Sequence, residues 1–262
     1  MKTDYKKEFL NCLYSIDHSK RRYDIFKDFL TATAISFQNA VSPNKNQELE
    51  NEYKELIKTY KKPERLAELL HITVQALTQE TTDFLGSIYM FGDFGNKHTG
   101  QFFTPFHIAD FMAQITIYES DLKRKIETEG FMTVCDPCCG SGVFLIAASE
   151  VIKNMGYNPQ QVLHIDGTDI DKVCCQMAYI QTSLLGLSGF IHYGNTITMQ
   201  MWEHYKLPMT DINFFRFAGL SPQKSELFET PKEVIEVKKV EETEERRKND
   251  NQEFKQLSIK FE

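Results

Sequence analysis

A short apolar run, Met132-Thr133-Val134-Cys135, leads straight into Asp136-Pro137, turns through Gly140-Ser141-Gly142 and continues as an apolar helical pattern over residues 143–155. A strand, a tight glycine turn and a helix in immediate succession form the first half of a βαβ unit, which is the usual way to join neighbouring parallel strands. Residues 162–168 read as a second strand, 171–187 as a second helix and 190–193 as a third strand. This alternation predicts an α/β fold with a parallel sheet and right-handed crossovers.

The chain before this unit has a different character. Residues 6–80 contain no glycine, and Tyr23, Phe26, Phe29, Leu30, Thr33 and Phe37 recur at helical spacing. Ser42-Pro43-Asn44 breaks the pattern, a second helix follows through Leu49, Tyr53, Leu56 and Ile57, and Pro63 opens a third. Residues 1–85 are therefore expected to form a helical N-terminal domain, either a packed bundle or a face turned to a partner or to DNA. Residues 86–220 would form the α/β domain, opening with a glycine-rich loop over 86–100. A helix then starts at Thr104 as cap, with Pro105 in its first turn and Ile108, Phe111, Met112 and Ile115 along one apolar face. Beyond Asn195 the pattern fades into a short helix over 202–205 and one strand over 212–217. Residues 221–262 read as a disordered or loosely helical tail, because the 39 residues from Lys224 onward carry 9 Lys/Arg and 11 Asp/Glu.

Charge and cysteine usage exclude several functions. With 30 Lys/Arg against 37 Asp/Glu the net charge is −7, which does not suit tight DNA binding unaided. Five of the six cysteines fall in two clusters, Cys135, Cys138 and Cys139, then Cys174 and Cys175, with Cys12 apart. Adjacent Cys-Cys pairs lack the spacing of a tetrahedral zinc site, and the clustering does not suit a disulfide framework, so no metal is expected. No apolar run reaches the roughly 18 residues of a membrane span, and the polar N-terminus does not resemble a secretory signal, so a cytoplasmic protein without membrane contact is expected.

The strand ends carry the candidate chemistry. Asp136 and the Gly140-Ser141-Gly142 turn place close-approaching backbone at a crevice across the strand ends, although such turns also serve packing alone. The spacing is not G-x-G-x-x-G and holds no phosphate-loop lysine, so neither NAD nor ATP is the natural ligand. Asp169, ending the second strand, can accept both hydroxyls of a ribose, whereas Asp171 more simply caps the next helix. The third strand ends in Tyr193-Gly194-Asn195, so three successive strand ends deliver a polar group beside a small residue.

GQFFTP at 100–105, CDPCCGSGVFLIAA at 135–148, GTDID at 167–171 and YGNTI at 193–197 resemble, in order and separation, the cofactor-binding motifs of adenine-N6 DNA methyltransferases. The chain is similar to the modification subunits of type I restriction-modification systems, in which a helical domain also precedes the catalytic one. The resemblance implies S-adenosylmethionine bound on a Rossmann-like sheet. Gln101, Phe102, Phe103, Thr104 and Pro105 would close over its methionine end, with core packing as the alternative for Phe103. Asp136, Gly140, Ser141 and Gly142 would follow its amino-acid moiety, Asp169 would accept the ribose hydroxyls, and Asn195 would sit by the adenine.

The sequence departs from the family in one respect. The Asn/Asp-Pro-Pro-Tyr/Phe loop that holds a flipped target adenine does not occur; Asp211-Ile212-Asn213-Phe214-Phe215 offers an amide and a ring without the prolines. Only 28 residues separate Asn195 from Lys224, too few for the remaining strands of a seven-stranded sheet, so a partial Rossmann-like sheet is expected and no catalytic residue is assigned. Three functions stay open: a cofactor-binding protein completed by a partner, through which it would reach DNA; an active adenine methyltransferase with an unrecognised target-base loop; or a structural module with a vestigial cofactor fold. Gln256-Leu257-Ser258-Ile259-Lys260-Phe261 also looks like a peptide that binds the bacterial sliding clamp, with a sticky terminus as the alternative.

Overall fold

Helix α1 (Tyr5–Ile16) starts where the Asp4 carboxylate caps the Lys7 amide, and α2 (Arg22–Val41) lays Phe26, Phe29 and Leu30 against it. The computed structural model describes residues 3–41, 46–92, 94 and 103–218, with backbone only for 214–218. Helix α3 (Gln47–Lys58), capped by Asn46, leaves its apolar stripe half-buried, and α4 (Glu64–Gln79) follows Pro63 as expected. Helix α5 (Phe84–Phe91) is the first departure. Gly86 lies in its first turn and not in a loop, because the Asp83 side chain accepts from the Gly86 amide and caps the helix; α5 thus runs across the boundary drawn at residues 85 and 86.

Helix α6 (Phe106–Thr116) begins after Pro105, which occupies the cap position; Thr104 makes no capping hydrogen bond. Its orientation also departs from expectation. Ala109 and Ala113 are the buried residues, at 1% and 0% exposure, while Phe111 and Ile115 are 59% and 53% exposed. Two alanines one turn apart let the backbone closely approach the helix over Val143–Asn154, and that contact leaves the larger side chains outside. Helix α7 (Glu119–Glu129) ends in a left-handed Gly130 and leads into strand β1 (Met132–Asp136).

The α/β unit follows as β1, α8 (Val143–Asn154), the single turn α9 (Pro159–Val162), β2 (Leu163–Asp169), α10 (Lys172–Leu184) and β3 (Ser188–Asn195). Strands β1, β2 and β3 are parallel, with Val134 opposite Ile165 and Ile165 opposite Gly189. Residues 200–206 form an antiparallel strand, β4 (Gln200–Lys206), where a helix over 202–205 was expected, so the sheet order is β1-β2-β3-β4 and the sheet is mixed. Tyr205 alternates with exposed Trp202 and His204 and packs against Tyr179 with the rings tilted, at 5.2 Å between ring centroids, in the core. The expected strand over 212–217 lies in helix α11 (Met209–Ala218), and Asn213 is buried there with its amide donating to the Gln160 carbonyl at 2.7 Å.

One helix joins both halves. Val173 through Thr182 of α10 are all buried: Val173, Cys174, Met177 and Ile180 face the helical bundle, while Cys175, Ala178 and Tyr179 face the sheet. A helix buried all round belongs inside a core, and here it is the middle layer between bundle and sheet. Residues Met1–Phe214 form one unit by backbone contacts. The charged tail and its clamp-like hexapeptide lie outside the described residues. No helix among the described residues is long and apolar enough to cross a membrane.

Candidate functional site

The glycine turn forms because its backbone is tied to the neighbouring strand. The Cys139 amide donates to the Thr168 carbonyl at 2.9 Å, and the Gly142 amide closes the turn onto the Cys139 carbonyl at 2.8 Å. Gly140 and Gly142 adopt φ of 54° and 89°, the left-handed region that glycine enters without cost. Gly142 has a second reason to be glycine: a Cβ there would lie 3.1 Å from the Ala178 methyl of α10.

This turn roofs a cavity of about 430 Å³ at the carboxyl ends of β1 and β2, lined by Phe103 and Thr104, by Asp136 to Ser141, and by Phe144 and Asp169 among others. That is the crevice position in which open parallel sheets bind ligands. Asp136 accepts from the Cys138 amide at 3.1 Å. Asp169 accepts from the Gly140 amide on one oxygen and from the Asp171 amide on the other, each at 2.8 Å, which fixes the carboxylate and leaves a lone pair on each oxygen. Burial pushes both carboxyls above the usual carboxylate range, and the charge of Asp169 pushes Asp136 further; backbone donors act in the opposite direction on each. No Lys, Arg or His is among the described residues lining the cavity. Two half-buried carboxylates without a counter-charge favour a cationic ligand and disfavour a phosphate.

The other candidate residues divide by position. Phe103 lies 5.2 Å from the Tyr89 ring and packs on the helical core, and it also lines the cavity beside Gly140. Thr104 lines the same cavity and, with Pro105, an adjoining one of about 460 Å³ between α1, α5 and α6. Gln101 and Phe102 lie outside the described residues. Ser141 is fully buried, and its hydroxyl donates to Asp83 at 2.5 Å, so it offers the cavity backbone only. Asn195 is not among the lining residues. Its carboxamide oxygen accepts from the Ile197 and Thr198 amides at 3.0 and 3.1 Å and forms the β3–β4 turn, in which Met199 takes φ of 56°. Asp171 caps α10 through the Val173 amide. Cys138, Met112 and Phe144 line the cavity although the sequence reading gave none of them a ligand role, as does Ala109, whose small side chain is the signal for a close helix contact.

Comparison with known proteins bears on this geometry. The family described as N-6 DNA Methylase matches residues 80–214. The methylase subunit of the type I restriction enzyme MpnII from Mycoplasma pneumoniae is 25% identical over 177 residues, which cover 64% of this chain and 31% of that protein. The chain therefore spans about a third of that relative. Two solved structures share 15% identity and a TM-score of 0.37: the methyltransferase subunit of a type I restriction-modification system from Streptococcus thermophilus, covering 76% of this chain and 59% of that one, and a protein described as a class I S-adenosylmethionine-dependent methyltransferase from Listeria monocytogenes, covering 72% and 53%.

Proposed function

From the premise that the chain belongs to the N-6 DNA Methylase family, whose methyl donor is S-adenosylmethionine, we propose that it is the cofactor-binding part of an adenine-N6 DNA methyltransferase completed by a partner polypeptide. The observation that carries this reading is the cavity in which Asp136 and Asp169, at the ends of adjacent parallel strands, face a turn with two left-handed glycines. The donor set fits the ligand: it has carboxylates for a cationic amino acid and sulfonium, an oriented acceptor for a ribose diol and, among the described lining residues, no basic group that would select a phosphate.

When bound, S-adenosylmethionine supplies a methyl group made electrophilic by its sulfonium charge. Asp136 would hold the ammonium, Asp169 would turn its remaining lone pairs to the ribose hydroxyls, and the turn would bring its backbone against the methionine moiety. Phe103 would close the cavity from the helical side and exclude water. Holding the target adenine needs a polar group, a backbone carbonyl and a stacking ring together, and no Asn/Asp-Pro-Pro-Tyr/Phe segment occurs in these 262 residues. Asp211 to Phe215 is helical from end to end, and the Asn213 amide is already engaged by Gln160.

Two surfaces support a partner. On the sheet face carrying Thr133, Cys135 and His204 these three residues are exposed while His164 and His192 between them are largely buried, whereas the opposite face packs on α8 and α10; parallel strands ordinarily require cover on both faces. The outer side of α6 exposes Ile108, Phe111, Met112 and Ile115 beside the cavity. The reading assigns DNA contact and sequence recognition to that partner, and the chain to the cytoplasm.

Calorimetric titration of S-adenosylmethionine tests the proposal. Saturable binding is expected, weakened about tenfold or more by Asp169→Ala, since hydrogen bonds to a charged acceptor contribute ~1.5–3 kcal/mol. Absence of binding by the folded protein refutes it. Methyl incorporation into mixed genomic DNA by the chain alone, abolished by Asp136→Ala, would refute the need for a partner and establish a self-sufficient enzyme.

A further inference from the structure

Directly behind the glycine turn lies a buried polar node that the proposed chemistry does not use. Asp83 of the helical region accepts from the Ser141 hydroxyl at 2.5 Å on one oxygen, and from the Gly86 amide at 3.0 Å and the Gln181 carboxamide at 2.9 Å on the other. Gln181 donates in addition to the Ser141 carbonyl at 3.0 Å and accepts from the Leu85 amide at 2.8 Å. Ser141 and Gln181 are fully buried and Asp83 is 7% exposed. Gly86 has no side chain because none fits: a Cβ would stand 2.0 Å from the Asp83 carboxylate and 2.4 Å from the Ser141 hydroxyl.

The node joins three elements far apart in sequence, the caps and first turns of α5, the middle of the glycine turn, and α10. Its placement matters because Ser141 is flanked by Gly140 and Gly142, the residues with the greatest backbone freedom in the turn. A turn with free glycines on both sides samples many shapes, and anchoring its central residue through both hydroxyl and carbonyl leaves it one. The carboxylate is satisfied by donors from all three elements, so losing any one of them leaves a buried charge underbonded. Fixing a binding loop from behind in this way is how supporting groups set affinity without touching the ligand.

We propose that Asp83, acting through Ser141 and Gln181, is a positioning residue for cofactor binding: the helical region holds the glycine turn in its binding shape. This rests on the S-adenosylmethionine reading above, and its test separates the two. Asp83→Ala, Asp83→Asn and Ser141→Ala are compared with Leu69→Ala, which removes a buried side chain of the helical core that does not line the cavity. Each variant confirmed as folded by circular dichroism is followed by amide hydrogen exchange of the peptide spanning residues 138–142, without ligand, and by titration with S-adenosylmethionine. The expected result is exchange in that peptide faster by about tenfold or more in the Asp83→Ala and Ser141→Ala proteins, with affinity lower by a similar factor. Asp83→Asn, which keeps an acceptor for Gly86 and Gln181, is expected to recover part of both, and Leu69→Ala to change neither. Unchanged exchange overturns the inference whether or not cofactor binds. Faster exchange with unchanged affinity also overturns it, because the node would then hold a turn whose shape the cofactor does not need. If the wild-type chain binds no S-adenosylmethionine, both the cofactor reading and the positioning role fall.

Discussion

Gly86→Ala sets two physical rules against each other. Gly86 lies inside α5, where helix propensity alone makes alanine more stable by up to about 1 kcal/mol. Its added methyl would stand 2.0 Å from the Asp83 carboxylate oxygen and 2.4 Å from the Ser141 hydroxyl, both far inside van der Waals contact. These atoms belong to side chains that could move if they were free, but Gln181 and the Gly86 amide hold the carboxylate, and the carboxylate in turn holds the fully buried Ser141 hydroxyl. Accommodation therefore costs about 1–3 kcal/mol of overpacking and a further 1–3 kcal/mol for an underbonded buried group. The net expectation is a loss of about 3 kcal/mol, equivalent to a fall in Tm of roughly 6–12 °C for a chain of this size. Urea and thermal denaturation followed by circular dichroism at neutral pH measure it directly. A variant as stable as wild type, or more stable, would show that propensity outweighs the clash and that the node is looser than its geometry implies.

Two other perturbations probe the fold away from the site. Phe111→Ser on the outer face of α6 should change stability by no more than about 0.5 kcal/mol, as for other exposed positions; a loss above ~2 kcal/mol in a thermal melt would mean that this face is covered in the isolated chain. His164 sits between the rings of Phe131 and Phe190, and burial lowers its pKa from 6.5 to about 4, with Asp166 opposing. The unfolded chain thus binds this proton more readily than the folded one, so stability contributed by neutral His164 is lost as pH falls from about 6.5 toward 4, by about 2–3 kcal/mol. Urea midpoints measured across that range for wild type and His164→Phe should diverge with this sign, and parallel curves would refute the assignment.

Local signals explain what was legible in advance. The β1 turn, Asp169 at the end of β2 and Asp171 at the head of α10 follow from neighbours a few residues away; Asp136, Gly140, Ser141 and Asp169 line one cavity, while Gly142 and Asn195 are not among its lining residues. Where two uses of one residue type compete, sequence could not choose between them. The Asn195 carboxamide at a strand end suits a ligand or a turn equally well, and the turn takes it. An amphipathic pattern on α6 says that one face differs from the other, but contact through Ala109 and Ala113 decides which side is buried. Residues 200–206 carry only weak alternation, and their strand is stabilised by Tyr179 and the β3 edge, partners that no window of sequence contains. Asp83 was hidden for a related reason: an acid followed three residues later by glycine reads as loop until the carboxylate and the Ser141 hydroxyl are seen to occupy the volume a side chain would need.

The double burial of α10 sets a timetable for synthesis. Thr31 of α2 bonds to Gln176 of α10, 145 residues further along, and Val173, Cys174, Met177 and Ile180 of α10 pack into the apolar core of the bundle. At about 5–20 residues per second, roughly 7–30 s separate the appearance of α2 from that of its contact on α10. Through that interval the bundle presents an open apolar surface at the ribosome, and closure must await a helix encoded in the second half of the chain. Folding is therefore expected to be slow and late, with the helical segment and the sheet ordering together; chains truncated between them would be the first to aggregate.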